Sequence, residues 1–204
     1  GAKINGNGNL YVDGLLDVKL AGGTAIANTV QFTLRNGIFQ VDGNWNLPTT
    51  NNWNEGTLKS SAIITNSGTL TISGSSSKYL NTQLNNTGTI VENHASYRVL
   101  YFQDGAILNN SGNYELLEGT ISNLNGVGTG TFNNSGTFKK TTTGTGTIGV
   151  AFNNTGTVNV ESGTLNITGG GVSNGGNFNL TSGTTLAFSG TLNNGAKING
   201  NGNL

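Results

Sequence analysis

Cysteine and methionine are missing from this chain, and charged residues, proline and histidine are scarce. Without cysteine, neither disulfides nor thiolate metal sites hold the fold. Only 9% of the residues are charged, and nine basic side chains balance nine acidic ones. This composition excludes the basic stripe that nucleic-acid binding requires. No run of about 18 consecutive apolar residues is present, so we predict no membrane span in this segment.

The chain contains 34 glycines and 34 asparagines among its 204 residues. One motif recurs along it: two asparagines, then Ser or Thr, Gly and Thr, between apolar residues. The second asparagine of the motif falls at near-constant intervals, at Asn66, Asn86, Asn110, Asn134, Asn154, Asn174 and Asn194. Between the motifs apolar and polar residues alternate, which is the period of a β-strand.

This pattern predicts an all-β fold, a right-handed parallel β-helix (β-solenoid) of about nine coils of about 20–24 residues, with three short strands per coil. The motif asparagines are expected at a corner, where their stacked amides form a structural turn ladder. The first inward position of each coil is expected to form a core ladder of Leu70, Ile90, Tyr114, Phe138, Val158, Phe178 and Ile198. At the second inward position Glu92 and Lys140 interrupt the apolar pattern, and we expect them at strand ends.

We predict one continuous solenoid segment over 1–204, with less regular coils in 1–65 and regular coils in 66–194. The stretch from Trp45 to Gly56 is predicted to be a longer loop or a bulged coil. Residues 195–204 repeat residues 1–10 letter for letter, so the chain is one 194-residue repeat plus a ten-residue overlap. Nine coils would advance about 43 Å along the axis. Because the sequence begins at Gly1 without methionine or a signal-peptide pattern, we expect an internal or processed piece.

The motif is clearest from Phe152 to Gly170, which reads Phe-Asn-Asn-Thr-Gly-Thr-Val-Asn-Val-Glu-Ser-Gly-Thr-Leu-Asn-Ile-Thr-Gly-Gly. It resembles the repeats of very large bacterial surface proteins, the filamentous-haemagglutinin-like and autotransporter-passenger β-solenoids. The resemblance covers most of the chain, from Asn52 to Leu192. It implies secretion, a surface location and adhesion or scaffolding, and it brings no catalytic residues.

Candidate sites are few. His94 lies near Glu92, Ser96 and Asp104 in the sequence, which are residue types of a hydrolytic site, but we interpret this stretch as a variable strand and loop and predict no enzyme. The Gly-rich turns carry Asn, Ser and Thr where calcium-binding solenoids need Asp, so we predict no metal and no cofactor. For glycan contact the candidates are the aromatic side chains Trp45 and Trp53.

Two functions remain open at this stage. In the first, the chain is a structural segment of an extracellular bacterial filament or surface fibre, whose partners are copies of itself in tandem or head to tail. In the second, it is an adhesin whose outer loops bind surface glycans or neighbouring cells. Both place the protein outside the cell, at the cell surface.

Overall fold

The computed structural model describes residues 3–14, 18–21, 25–94, 98–126 and 128–204. These residues form a parallel β-solenoid of about nine turns, which confirms the predicted fold class. Each turn presents three strands, and every strand pairing among these residues is parallel and joins one coil to the next. The solenoid therefore has three faces, which we number in chain order.

The strands of face 1 stack ten deep. They are β2 (Asn9–Val12), β5 (Gln31–Leu34), β8 (Thr50–Trp53), β10 (Thr69–Ile72), β12 (Thr89–Asn93), the first part of β15 (Asn113–Asn123), β17 (Thr137–Lys140), β20 (Thr157–Val160), β23 (Asn177–Leu180) and β26 (Lys197–Gly200).

Face 2 follows face 1 in each coil. It contains β3 (Val18–Leu20), β6 (Ile38–Val41), the first parts of β9 (Gly56–Asn66) and β11 (Lys78–Asn86), β13 (Val99–Phe102), the last part of β15, β18 (Thr145–Ile148), β21 (Thr164–Ile167) and β24 (Thr185–Phe188). A single 3₁₀ turn, Leu124–Gly126, follows β15 within the described residues.

Face 3 closes each coil and directly precedes face 1 of the next. It contains β1 (Lys3–Ile4), β4 (Ala25–Ile26), β7 (Trp45–Asn46), the last parts of β9 and β11, β14 (Ile107–Asn110), β16 (Thr131–Asn134), β19 (Ala151–Asn154), β22 (Val172–Asn174) and β25 (Thr191–Asn193). The pair β1 and β4 forms a small sheet of its own.

The corner between faces 3 and 1 needs glycine because the coils lie directly on one another there. A Cβ atom on Gly112 would lie 2.2 Å from the backbone oxygen of Gly88 in the preceding coil. The same clash recurs one coil later, where a Cβ atom on Gly136 would lie 2.2 Å from the oxygen of Gly112. The glycine of the motif is therefore a steric requirement of close stacking.

Apolar side chains fill the interior along the whole axis. Aromatic rings occupy the middle coils, where Tyr114 and Phe138 stack with centroids 5.5 Å apart and planes 6° apart. Phe132 meets Phe138 edge-on at 5.7 Å, and Phe152 contacts both. Since one coil cannot enclose these rings alone, the core exists only where neighbouring coils stack.

The stretch from Trp45 to Gly56 is not a loop. It forms β7 and β8, and β8 pairs in register with the face 1 strands on both sides. Within 1–65, face 1 is occupied three times, by β2, β5 and β8. The prediction of a longer loop or a bulged coil was wrong here, because the pairing is continuous on both sides of β8. Asn51 hides the alternation, since it puts a polar side chain at an inward position.

Candidate functional site

Five buried asparagines run along the corner between faces 3 and 1, and we call them the inner ladder. Each of the first four donates from Nδ2 to Oδ1 of the next at 2.7–2.8 Å. The same four amides also donate to the backbone carbonyl that begins face 1 one coil later. The members are Asn66, Asn86, Asn110, Asn134 and Asn154, each at most 1% exposed.

Asparagine suits this position because its short amide carries a donor and an acceptor on one rigid group. Coils stack at about 4.8 Å, the spacing at which identical amides in register bond to each other. The chain of bonds ends where Oδ1 of Asn66 and Nδ2 of Asn154 are buried without a hydrogen-bond partner among the described residues. The ladder is thus a finite, directional element of the fold.

Asn174 and Asn194 lie outside the inner ladder, which corrects the sequence prediction. Pairing in register places Ser173 on Asn154 and Leu192 on Ser173. Asn174 and Asn194 are both exposed, and Nδ2 of Asn194 donates to Oδ1 of Asn174. The stretch from Asn154 to its partner Ser173 is one residue shorter than the stretch from Asn134 to Asn154. The corner from Ser173 to Asn177 is one residue longer than the corner from Asn154 to Thr157, so the total length of the coil does not change. The unchanged spacing of the motif asparagines hides this shift.

A second row of asparagines lies beside the first and faces outward; we call it the outer ladder. Its members are Asn85, Asn109, Asn133 and Asn153, the first asparagines of the motif. Here each amide donates backward, from Asn109 to Asn85, Asn133 to Asn109 and Asn153 to Asn133, at 2.8–2.9 Å. The two ladders therefore run in opposite directions along the same strands.

The structure places the predicted core residues at one inward position of face 1. Six of them are at most 1% exposed, and Ile198 is partly buried against the core. Their pairings join Leu70, Ile90, Tyr114, Phe138, Val158, Phe178 and Ile198 in register. Asn51 occupies the same position one coil before Leu70. Its Nδ2 donates to the carbonyls of Pro48 at 2.7 Å and Thr69 at 3.2 Å.

Trp45 and Trp53 are core residues, so the structure contradicts their prediction as glycan contacts. Trp45 is 4% exposed and packs against Phe32 and Phe39, with ring centroids 5.4 and 5.0 Å apart. Trp53 is 1% exposed and its Nε1 donates to the carbonyl of Gly56 at 3.2 Å. Indole rings in an enclosed core cannot stack on a sugar.

Glu92 and His94 form a buried polar cluster at the corner between faces 1 and 2. Nε2 of His94 lies 2.6 Å from Oε1 of Glu92, and both side chains are fully buried. The hydroxyl of Tyr114 donates to the other carboxylate oxygen of Glu92. Gly119 makes room for the imidazole, because a Cβ atom there would lie 2.4 Å from Cε1 of His94.

In the part of the chain that the structure describes, the side chains of Glu92 and His94 are enclosed, and Asp104 does not join them. Asp104 lies beyond β13, where its carboxylate accepts from Nδ2 of Asn81 at 2.8 Å. Ser96 lies outside the described residues. The carboxylate of Glu92 and the imidazole of His94 are shielded from solvent, so this pair is arranged to satisfy buried polar atoms. Burial and the neighbouring Glu92 carboxylate raise the pKa of Tyr114 well above its usual value.

Glu92 and Lys140 lie near strand ends, yet both point inward and are fully buried. Nζ of Lys140 donates to the carbonyl of Thr142 and, at 3.0 Å, to its Oγ1. Gly146 leaves space for Leu116 and for this side chain, because a Cβ atom there would lie 2.7 Å from Cδ2 of Leu116 and 3.1 Å from Cδ of Lys140. Burial lowers the pKa of Lys140. Glycines on face 2 thus lie beside two of the buried polar side chains, Gly119 beside His94 and Gly146 beside Lys140.

Lys78 is a further buried cation, and we predict that it makes stability depend on pH. Its Nζ donates to the carbonyl of Ser76 at 2.7 Å. Burial lowers the pKa of Lys78 to about 8, although the carboxylates of Glu92 and Glu55 raise it. A lowered folded-state pKa means that the unfolded chain binds the proton more tightly. Burial of the charged amine therefore destabilises the fold fully below pH 8. This destabilisation disappears as the pH rises toward 10.5, the pKa of the lysine in the unfolded chain.

The test compares urea unfolding of the parent protein and of Lys78→Met between pH 7 and pH 10.5, followed by circular dichroism. The unfolding free energy of the parent is expected to rise with pH relative to that of the variant, because methionine fills similar volume without the ionisable group. The difference between the two proteins removes the contribution of groups that titrate in both. Parallel pH profiles for the two proteins would contradict a depressed pKa at Lys78.

Neither metal chemistry nor a membrane helix finds support in the part of the chain that the structure describes. No three His, Cys, Asp or Glu side chains come close enough there to share a metal ion. Over the same residues, no helix has the length and apolarity needed to cross a bilayer. Comparison with protein-family models, with curated proteins and with solved structures finds no match to this chain.

Proposed function

We propose that this chain is a structural segment of an extracellular filament or surface fibre, built from blocks that continue one solenoid in tandem or head to tail. The observation that carries the proposal lies at the last coil. There Lys197–Gly200, whose sequence is also that of residues 3–6, pairs in register with Asn177–Leu180. The start of a block is therefore a sequence that stacks on the end of a block.

Two further features support a scaffold. Hydrogen bonds of the backbone and of the two asparagine ladders run along the axis, which stiffens a rod against bending and extension. The buried side chains of Glu92 and His94 contact each other and are shielded from solvent. Adhesion through Trp45 and Trp53 loses its basis because both side chains lie in the core, so we make the filament the only proposal.

The test measures the length of rods made of one, two and three covalent blocks by negative-stain electron microscopy. We expect rods of constant width whose length increases by about 43–45 Å per block, since a block has about nine coils and each coil contributes about 4.8 Å. Far-ultraviolet circular dichroism should keep the same β-sheet signal per residue. Beads joined by flexible links, or a length that does not grow linearly with block number, would refute a continuous solenoid.

A further inference from the structure

The two copies of the repeated ten residues occupy different faces of the solenoid. In the first copy, Leu10 belongs to face 1 and pairs with Phe32. In the second copy, Ile198 belongs to face 1 and pairs with Phe178. Asn203, which corresponds to Asn9, bridges to Thr185 on face 2. The same sequence therefore starts on face 3 near the beginning of the block and on face 1 at its end.

The local conformation of the two copies is nevertheless alike. Each forms a strand, a glycine-containing corner and a second extended segment. Gly6 and the corresponding Gly200 both have positive φ, 127° and 107°, a region that side-chain-bearing residues avoid. The ten residues thus form one corner unit, and the structure places this unit at two different corners.

The position of each residue in the repeat explains the shift. Ile198 has the same place on face 1 as Leu10, nine coils further on. In the repeated sequence, however, Ile198 corresponds to Ile4, and the residue that corresponds to Leu10 is Leu204. The segment from Ile4 to Leu10 crosses one corner, from face 3 to face 1. One sequence period therefore covers nine turns and one additional face.

We propose that consecutive blocks in the filament are rotated by one face, so that face 1 of each block stacks on face 2 of the block before it. This inference rests on the proposed function. The contact is the second block's strand Asn9–Val12 lying over Thr185–Phe188, which extends the bridge already made by Asn203. Leu10 and Val12 of the second block then cover Leu186 and Phe188 of the first.

The length of the last coil, and not the polarity of the side chains, distinguishes this arrangement from an unrotated one. Without rotation, Leu10 of the second block would cover Phe178, which is equally apolar. The coil that begins at Phe178 would then extend to Leu204. It would be longer than any coil of face 1 in the described residues, including the two longest, from Ile90 to Tyr114 and from Tyr114 to Phe138. The structure instead closes this coil at Ile198.

The rotation has a consequence for the whole fibre. Blocks would return to the same orientation only after three periods, which is 28 coils, apart from the gradual twist of the solenoid. At about 4.8 Å per coil this is about 134 Å, with about 45 Å for each block. The corner that carries the inner ladder would move from one edge of the rod to the next at each block boundary.

Disulfide formation in a covalent two-block chain tests the rotation, since the native sequence has no cysteine. One variant carries Ala187→Cys in the first block and Tyr11→Cys in the second; both side chains are exposed. Stacked neighbours have Cα atoms about 5 Å apart, within the reach of a disulfide. We expect this pair to cross-link nearly completely under mild oxidation, as seen by non-reducing electrophoresis after proteolysis between the cysteines.

Two matched variants complete the experiment. Asn159→Cys with Asn179→Cys inside one block is the positive control, because these outward side chains bond at 2.9 Å. Asn179→Cys in the first block with Tyr11→Cys in the second would cross-link only without rotation, and we expect none. If this last pair forms the disulfide, the rotation is refuted while the continuous solenoid stands. If neither boundary pair reacts while the positive control does, both the rotation and the continuous filament are refuted.

Discussion

Replacement of Trp53 by alanine is expected to destabilise the solenoid by about 3–5 kcal/mol, the range for large aromatic residues removed from a core. The indole lies at an inward position of face 1, between Leu34 of the preceding coil and Ile72 of the next. It is 1% exposed and its Nε1 has the carbonyl of Gly56 as partner. Alanine would leave a cavity and remove the hydrogen bond to the carbonyl of Gly56. Urea unfolding followed by circular dichroism measures the loss.

Tyr11→Ala is the matched control for this variant. Tyr11 is another large aromatic residue of face 1, but its ring is 46% exposed and stacks under the guanidinium of Arg35, 3.6 Å from the ring centroid. Its removal is expected to cost about 1 kcal/mol or less, the usual value of an exposed cation–π contact. Equal losses for the two variants would contradict the burial of Trp53.

Asn110→Ala is expected to reduce the unfolding free energy by about 2–4 kcal/mol, because it interrupts the inner ladder at its centre. Asn110 accepts from Nδ2 of Asn86 and donates to Oδ1 of Asn134, both at 2.7 Å. It also donates to the carbonyl of Thr137 at 3.1 Å. The shorter side chain would leave Oδ1 of Asn134 buried without its donor, and such a group costs about 1–3 kcal/mol. Thermal and urea unfolding both report the change.

Asn174→Ala provides a control that the sequence alone would not distinguish from Asn110→Ala. Both residues are the second asparagine of the motif, but Asn174 is exposed and lies outside the inner ladder. We expect its replacement to change the unfolding free energy by about 0.5 kcal/mol at most. If Asn174→Ala is as costly as Asn110→Ala, corner chemistry and not the buried ladder stabilises the motif.

The solenoid can be read from the sequence because each coil repeats the same steric and polar requirements. Alternation defines which side chains point inward, and the glycine of the motif marks where backbones meet. Asn66 to Asn154 could be assigned to one corner from spacing alone. Asn174 could not, because a deletion and an insertion of one residue leave the spacing of the motif unchanged. Pairing register is a property of stacked coils, and only the structure reveals it.

Buried polar residues were harder to predict than apolar ones. Asn51 and Glu92 occupy inward positions that the alternation reserves for apolar side chains. Their partners, the carbonyl of Pro48 and the imidazole of His94, lie at corners whose geometry the sequence does not specify. The sequence does carry a signal for the buried polar side chains. At one position of face 2, two coils have Gly119 and Gly146 where the next two have Leu165 and Leu186. These glycines leave room for His94, the partner of Glu92, and for Lys140.

The opposite directions of the inner and outer ladders have an electrical consequence. A row of amides that all point one way adds its dipoles, as peptide groups do in a helix, and creates opposite partial charges at its two ends. Here four inner bonds point one way and three outer bonds point the other. The dipoles of the two rows largely offset each other. Lengthening the rod therefore adds little to the partial charges at its two ends.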